Sequence, residues 1–325
     1  MDKKSGIAVE FDELISFLAK NGIEGINGFA KSKQISEEEA QNILKEAESE
    51  YGITPAIKID TKKLGYVSFL MEGKFYGGAP GLSELKQELE KDPHIQLALL
   101  QDDNSTILLY YLIEKENHED YYGWNFTKAF YELQRNLFFH YYISWLFSRV
   151  ALVEGSIPIS SSFFTLLRSI TWRRSKATPR PLPGQFTYKK LILLKELFEN
   201  PLQAPSDIDK KNGFASEFSK NTIEMLKKSG ILANSINIEN YEKLDVNILH
   251  VYPMFSSEFL SYISSARTKP SFKVLFACDT FAPIGMFALV KGSKEGIKAF
   301  VDKLNITSYS IAGIKEVIIG HLPVG

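Results

Sequence analysis

The side chains of this chain best equipped for chemistry are cations and hydrogen-bond donors, and they cluster. Ser219, Lys220, Asn221 and Thr222 are consecutive, and Lys227 and Lys228 follow within two helical turns. Every one of them can donate a hydrogen bond to phosphate. Arg173 and Arg174 stand beside Trp172 in a stretch with no acid between Gly155 and Gln185, which also holds Arg168, Lys176 and Arg180. Cations that track a backbone, together with donors that reach base edges, are the chemistry of polyanion binding.

Signals for catalysis are thin by comparison. The five histidines, His94, His118, His140, His250 and His321, show no metal-ligand spacing. No Gly-x-Ser-x-Gly elbow occurs, and the charge of Asp279 beside Cys278 opposes a thiolate there. Asp102 and Asp103 could pair as acid and base, yet a turn explains them better. The expectation is a protein that is not an enzyme, with no catalytic residue, no metal and no cofactor.

The donors sit within Ser206 to Asp245. This stretch reads as a short helix, a turn at Asn212-Gly213, and a second helix from about Phe214 to Lys228 that Gly230 closes. An extended segment, Ser235 to Glu239, follows. Phe218, Ile223, Met225 and Leu226 fall near helical spacing, so one face can pack and the donors remain on the other. A helix, a tight turn and a donor-bearing helix is the geometry that enters a major groove.

Composition permits this without announcing it. The chain has 325 residues, 44% apolar and 24% charged, with net charge −1, so any nucleic-acid surface must be a local patch. One cysteine excludes internal disulfides and thiolate clusters and suits a reducing cytoplasm. No signal sequence is read at the N-terminus. The apolar run Leu137 to Val153 holds His140 and Arg149, and its aromatic and β-branched residues suit a buried strand better than a membrane span.

In chain order the pattern is seen twice. Val9 to Lys20 is an amphipathic helix, Ile23 to Ala30 a short helix or turn, and Ser36 caps a third helix that ends at Gly52. Strands at Tyr66–Met71, Ile95–Leu100, Thr106–Ile113 and Phe139–Leu152, with helices at Leu82–Lys91 and Trp124–Leu137, give βαββαβ. Leu82, Leu85 and Leu89 are expected inward. The second half repeats the order: a helix at Tyr188–Phe198, the helix-turn-helix, strands near 246–254, 272–277, 284–291 and 309–319, and helices at 257–266 and 293–304. Gly52-Ile53 and Gly230-Ile231 are equivalent helix stops. Repeated order over such a length points to duplication. The expected class is α+β: two helix-turn-helix (winged-helix-like) segments, residues 1–54 and 188–234, each followed by a ferredoxin-like βαββαβ domain, 55–153 and 235–325. A basic linker, 154–187, joins the copies, and the two α+β domains pair as an intrachain pseudo-dimer.

This arrangement resembles the Lrp/AsnC family, the leucine-responsive transcription regulators. The match is closest over Pro55 to Met71, PAIKIDTKKLGYVSFLM, where the family runs through a Lys-Leu-Gly-Tyr stretch into its first sheet strand. The resemblance covers nearly the whole chain as two copies in tandem. It implies a cytoplasmic regulator of transcription that binds double-stranded DNA, answers to an amino-acid-like effector and forms homo-oligomers. Carried onto this chain, it gives Ser219, Lys220, Asn221, Thr222, Lys227, Lys228, Arg173 and Arg174 as DNA contacts, and Gln101, Asp102, Asp103, Asp279 and Thr280 as effector contacts.

Two departures accompany it. The third helix of the first copy carries Glu37, Glu38, Glu39, Glu46, Glu48 and Glu50 against Lys45 alone, a face that repels phosphate. The turns at Gln101–Ser105 and Cys278–Pro283 lack the glycine usual in effector-binding members. Paired subunits of this kind also resemble the sirohaem decarboxylases, which use His and Arg around a tetrapyrrole, and His140, Arg149 and His250 are the candidates for such a role. A third reading is an architectural or protein-interaction module without a ligand.

Overall fold

The computed structural model describes residues 13–114, 143–149, 153–154, 157–168, 187–266, 270–281, 284–304, 306 and 308–323. In chain order the first copy comprises α1 (residues 13–21), α2 (Ile26–Lys33), α3 (Glu37–Tyr51), β1 (Ile53–Ile59), β2 (Tyr66–Phe75), α4 (Leu82–Glu90), β3 (Ile95–Gln101), β4 (Thr106–Glu114), β5 (Ile143–Arg149) and β6 (Val153–Glu154). A short helix, α5 (residues 162–168), precedes the second copy. That copy comprises α6 (Tyr188–Glu199), α7 (Pro205–Asn212), α8 (Phe218–Lys228), β7 (Leu232–Ile238), β8 (Val246–Tyr252), α9 (Ser256–Ser265), β9 (Lys273–Phe281), β10 (Ile284–Lys291), α10 (Lys294–Lys303) and β11 (Ser308–Ile319). The helix expected at Trp124–Leu137, and residues Arg173, Arg174, His118 and His140, lie outside the described residues. So does the side chain of Arg149, whose backbone ends β5.

The chain divides into two compact units, each built from both copies. The first holds residues up to Leu64 and Phe164–Asn240; the second holds Gly65–Phe163 and Tyr241–Pro323. The first unit contains the two three-helix segments, and its sheet is the antiparallel pair β1·β7, centred on Ala56 opposite Ser235. Local sequence accounts for its helices. Ser36 accepts the Glu39 N–H at 3.1 Å and three glutamates fill the first turn of α3, an arrangement that favours a helix start. Ala40, Leu44 and Ala47 are its buried face. Gly52 ends it at φ 63° and Gly230 follows α8 at φ 66°, so both copies use a left-handed glycine before the connecting strand.

The second unit is one antiparallel sheet of nine strands in the order β5-β2-β4-β3-β11-β8-β10-β9-β6. Each half arranges its own four strands identically: fourth, first, third, second. The last strand of the second half, β11, adds to β3 of the first. Likewise β6, which follows β5, adds to β9 of the second. The sheet's end strands β5 and β6 are separated in sequence only by residues 150–152, so the sheet curls back on itself. The halves are two ferredoxin-like modules paired within one chain.

Alternation along the strands separates two kinds of core. Phe69, Met71 and Phe75 on β2 and Ile107, Leu109 and Tyr111 on β4 pack with Leu85 and Leu89 of α4. Leu249 and Val251 of β8 pack with Phe259 of α9 and Ile297 and Val301 of α10. The intervening residues, among them Leu70, Leu99, Leu108, Ile248, Phe276 and Phe287, are buried on the other face, where one half of the sheet covers the other. The perpendicular contact of Tyr110 and Phe276, ring centres 6.1 Å apart, spans the halves. Leu82 departs from expectation: it is the first residue of α4 and 39% exposed, because the helix turns only Leu85 and Leu89 inward.

Candidate functional site

The donors of the later copy lie on α8, and α7 sets where α8 points. Pro205 opens α7 at its first turn, where a missing N–H is harmless. Gly213 closes it at φ 62°, and Phe214 N–H bonds back to Asp209 O at 2.9 Å. Residues 214–217 form the turn, and Glu217 takes a left-handed conformation at φ 63°, so α8 starts at Phe218 rather than Phe214. Glu217 provides no side-chain cap. Asp209, 6% exposed on α7, does so instead, its Oδ1 accepting the Ser219 N–H at 2.9 Å. One buried carboxyl therefore fixes both the start and the rotation of α8.

That rotation divides the expected DNA contacts. Ser219, Thr222 and Leu226 form the buried face of α8, with Ser219 fully buried and its Oγ without a hydrogen-bond partner among the described residues. Ser219 and Thr222 are thus turned into the protein and away from any groove, a correction to the reading from sequence. Met225, expected inward, is 42% exposed instead. Lys220, Asn221, Lys227 and Lys228 are exposed on the opposite side. Lys228 lies 4.0 Å from Glu224 across one turn, an exposed pair that adds little stability and leaves the ammonium available. In the first copy α3 occupies the equivalent place, and Glu37, Glu38, Glu39, Glu46 and Glu50 are exposed along it.

The residues expected to hold an effector have partners within the fold. The 101–105 turn is gripped by the second half of the sheet. Asp102 donates its N–H to Gly313 O at 3.0 Å and its carboxyl pairs with Lys294, while Lys315 donates to Asn104 at 2.6 Å. Gln101 is buried. Asp279 and Thr280 are not in a turn: β9 runs on to Phe281, pairing Asp279 with Met286 and Thr280 with Gly285. Asp279 is buried, and its Oδ1 accepts the Ser256 N–H at 2.7 Å and the Ser256 hydroxyl at 2.6 Å, which caps α9.

Asp103 closes its own turn. Its two oxygens take the N–H groups of Ser105 and Thr106 and both hydroxyls, at 2.6–2.9 Å. Partial burial raises its pKa, but the bonds from Thr106 and Ser105 outweigh this and hold it at about 2, below the ordinary 3.8. A lowered carboxyl pKa stabilises the fold above the ordinary value and loses that effect as pH falls toward the lowered one. Asp103→Ala is expected to lose about 1 kcal/mol at neutral pH, the scale of a lost cap. Urea denaturation at several pH values checks it: the gap between variant and parent should close between about pH 4 and pH 2.

A polar cluster, of which the sequence analysis singles out His250 alone, lies on the inner sheet face. His250 Nε2 is buried 3.3 Å from Glu72 Oε2, outside hydrogen-bond geometry, and its Nδ1 is 3.1 Å from the Tyr252 hydroxyl. Burial, then the charge of Glu72, raises the Tyr252 pKa. Alternation from Ser68 through Leu70 to Glu72 was the legible clue, since it puts a carboxylate at an inward position. Cys278 is fully buried, and burial followed by the Asp279 charge pushes its thiol pKa up, which removes it as a nucleophile. Among the described residues no group of three or more acids, histidines and cysteines could hold a metal, and no helix is long and apolar enough to cross a membrane.

No family model matches the chain, and no curated protein matches it. Among solved structures it is similar to the sirohaem decarboxylase NirDL, with TM-score 0.54 and 14% identity over 96% of this chain and 93% of that one. It is similar also to NirDL in complex with an iron-uroporphyrin III analogue, with TM-score 0.50 and 14% identity over 97% and 95%. B. subtilis LrpC matches 40% of this chain over 95% of its own length, with TM-score 0.33 and 16% identity. At these identities the likeness to NirDL bears on the fold alone.

Proposed function

We propose that the chain is a DNA-binding transcription regulator in which only the later helix-turn-helix engages the duplex. The observation that carries this is the exposed row Lys220, Asn221, Lys227 and Lys228 on α8, opposite a buried face that anchors the helix through Asp209. Lys220 and Asn221 would meet the groove, and Lys227, Lys228, Arg173 and Arg174 the phosphates. The glutamates of α3 make the earlier copy a poor partner for a polyanion, so the duplex would be held from one side of a pseudo-symmetric unit. The test is a salt-titrated binding assay on genomic fragments, including the region upstream of the chain's own gene. Affinity should fall linearly on a log–log plot against salt, with a slope near −0.9 for each phosphate contact. A flat plot, or no retardation of any fragment, removes the reading.

A second reading is favoured by one observation, the full-length fold likeness to a sirohaem decarboxylase. On this reading His250 would face the tetrapyrrole. Glu72 beside it argues the other way, because a substrate bearing carboxylates is matched by cations. Mixing the protein with iron-uroporphyrin and recording its visible spectrum separates the two: a shifted, saturable band favours the enzyme.

A further inference from the structure

Between α7 and the start of α8 lies a groove of about 590 Å³. Pro205 and Phe214, both half-buried, line it with the buried Asp209, and Lys210, Ser216 and Lys220 stand exposed around them. The Phe214 ring is held in place. The Lys189 ammonium lies 5.9 Å from its centre and the Phe218 ring meets it edge-on at 4.9 Å. Asp209 has spent one oxygen on the Ser219 N–H. Among the described residues its Oδ2 accepts no hydrogen bond, and neither Lys210 nor Lys220 forms an ion pair with it. Asp209 is 6% exposed as a residue, and its Oδ2, in the wall of a groove and without a donor from the protein, is left open to a donor from a ligand.

The groove thus offers an aromatic platform, an acceptor in its wall and two ammonium groups, with the exposed Glu217 carboxyl also at its rim. We propose that it binds a free nucleoside monophosphate whose base carries an exocyclic amine, as adenine and cytosine do. The amine donates to Asp209 Oδ2, the base lies against Phe214, and the phosphate takes Lys210 and Lys220. The contacts expected of a flat base are stacking and one edge hydrogen bond, and a phosphate is met by point charges. Binding at this site does not depend on the regulator reading. Its consequence does: Lys220 would serve nucleotide or DNA but not both, so the nucleotide would release the duplex.

The test is equilibrium dialysis of the full chain, without DNA, against CMP and UMP, which differ at the base's 4-position as amine against carbonyl and at N3 as acceptor against N–H. AMP against IMP repeats the comparison on a purine. The amine-bearing member of each pair should bind at least about 10-fold tighter, since its rival leaves two acceptors facing. Asp209→Asn keeps an oxygen for the Ser219 N–H and turns the groove-facing atom into a donor, so the order should reverse in favour of UMP and IMP. Lys210→Met should weaken CMP but not the uncharged cytidine. Equal binding of the two members of each pair by the parent overturns the proposal, as does displacement of CMP by inorganic phosphate at equal concentration. Should Asp209→Asn fail to fold, the parent comparison and Lys210→Met still decide. DNA binding without nucleotide binding defeats this inference alone; the converse defeats only the regulator reading.

Discussion

Replacing Lys220, Lys227 and Lys228 together by Ala should lower DNA affinity about 100-fold near 0.1 M salt and make the log–log salt slope shallower by about two, for the phosphate contacts of Lys227 and Lys228. All three side chains are exposed, and none belongs to the packed face of α8, which consists of Ser219, Thr222 and Leu226. The helix should therefore survive, and the loss should be electrostatic. Circular dichroism and the urea midpoint of the variant would stay near those of the parent. The earlier copy supplies an internal control: replacing Glu37, Glu38 and Glu39 by Gln on α3 should leave the slope unchanged if that helix stands clear of DNA. A triple lysine variant with the parent's slope would mean that binding, if any, uses another surface.

Gly320→Ala should destabilise the sheet unit by roughly 3 kcal/mol, from a strained backbone and an unrelievable clash together. Gly320 follows β11 at φ 79°, where an L side chain is strained. An added Cβ would lie 2.2 Å from Gln96 O and 3.3 Å from its carbonyl carbon. The neighbouring backbone cannot step aside easily. Gln96 is fully buried, its Nε2 donates to Pro93 O at 2.9 Å, and its Oε1 accepts the Ser160 N–H at 3.0 Å. The clash falls where β11 joins β3 and so strikes a seam between the two halves of the sheet. Gly81→Ala is the matched control, because nothing lies within 4 Å of its added Cβ. Urea unfolding should show a lower midpoint at unchanged m for the first and near identity for the second. Similar midpoints would show that the seam yields.

Strand and helix order was legible because it rests on short-range pattern. Alternation through Tyr66–Met71, caps such as Ser36 and stops such as Gly52 and Gly230 each act within a few residues. What escaped was set by contacts between elements. The rotation of α8 depends on Asp209, ten residues before Ser219, and on a left-handed Glu217 that no propensity favours. Of the expected inward set, Leu226 is buried and Phe218 and Ile223 are half-buried, while Met225 is exposed and Ser219 and Thr222 take the buried face beside Leu226. The sequence reads Asp279 and Thr280 as part of a turn over Cys278–Pro283, yet pairing with β10 carries β9 through both. The Glu72–His250 contact joins residues far apart in sequence on opposite halves of a curled sheet, and only the path of that sheet brings them together.

The exchange of edge strands bears on how such a chain can evolve. In an assembly of identical subunits every substitution is copied to both sides of the axis. Here β11 completes the first half and β6 completes the second, within one polypeptide. A substitution therefore lands on one side only. The scaffold can then let one helix drift to six glutamates while its counterpart keeps lysines. Neither half can be discarded, since each would be left with a bare strand edge and an uncovered oily face.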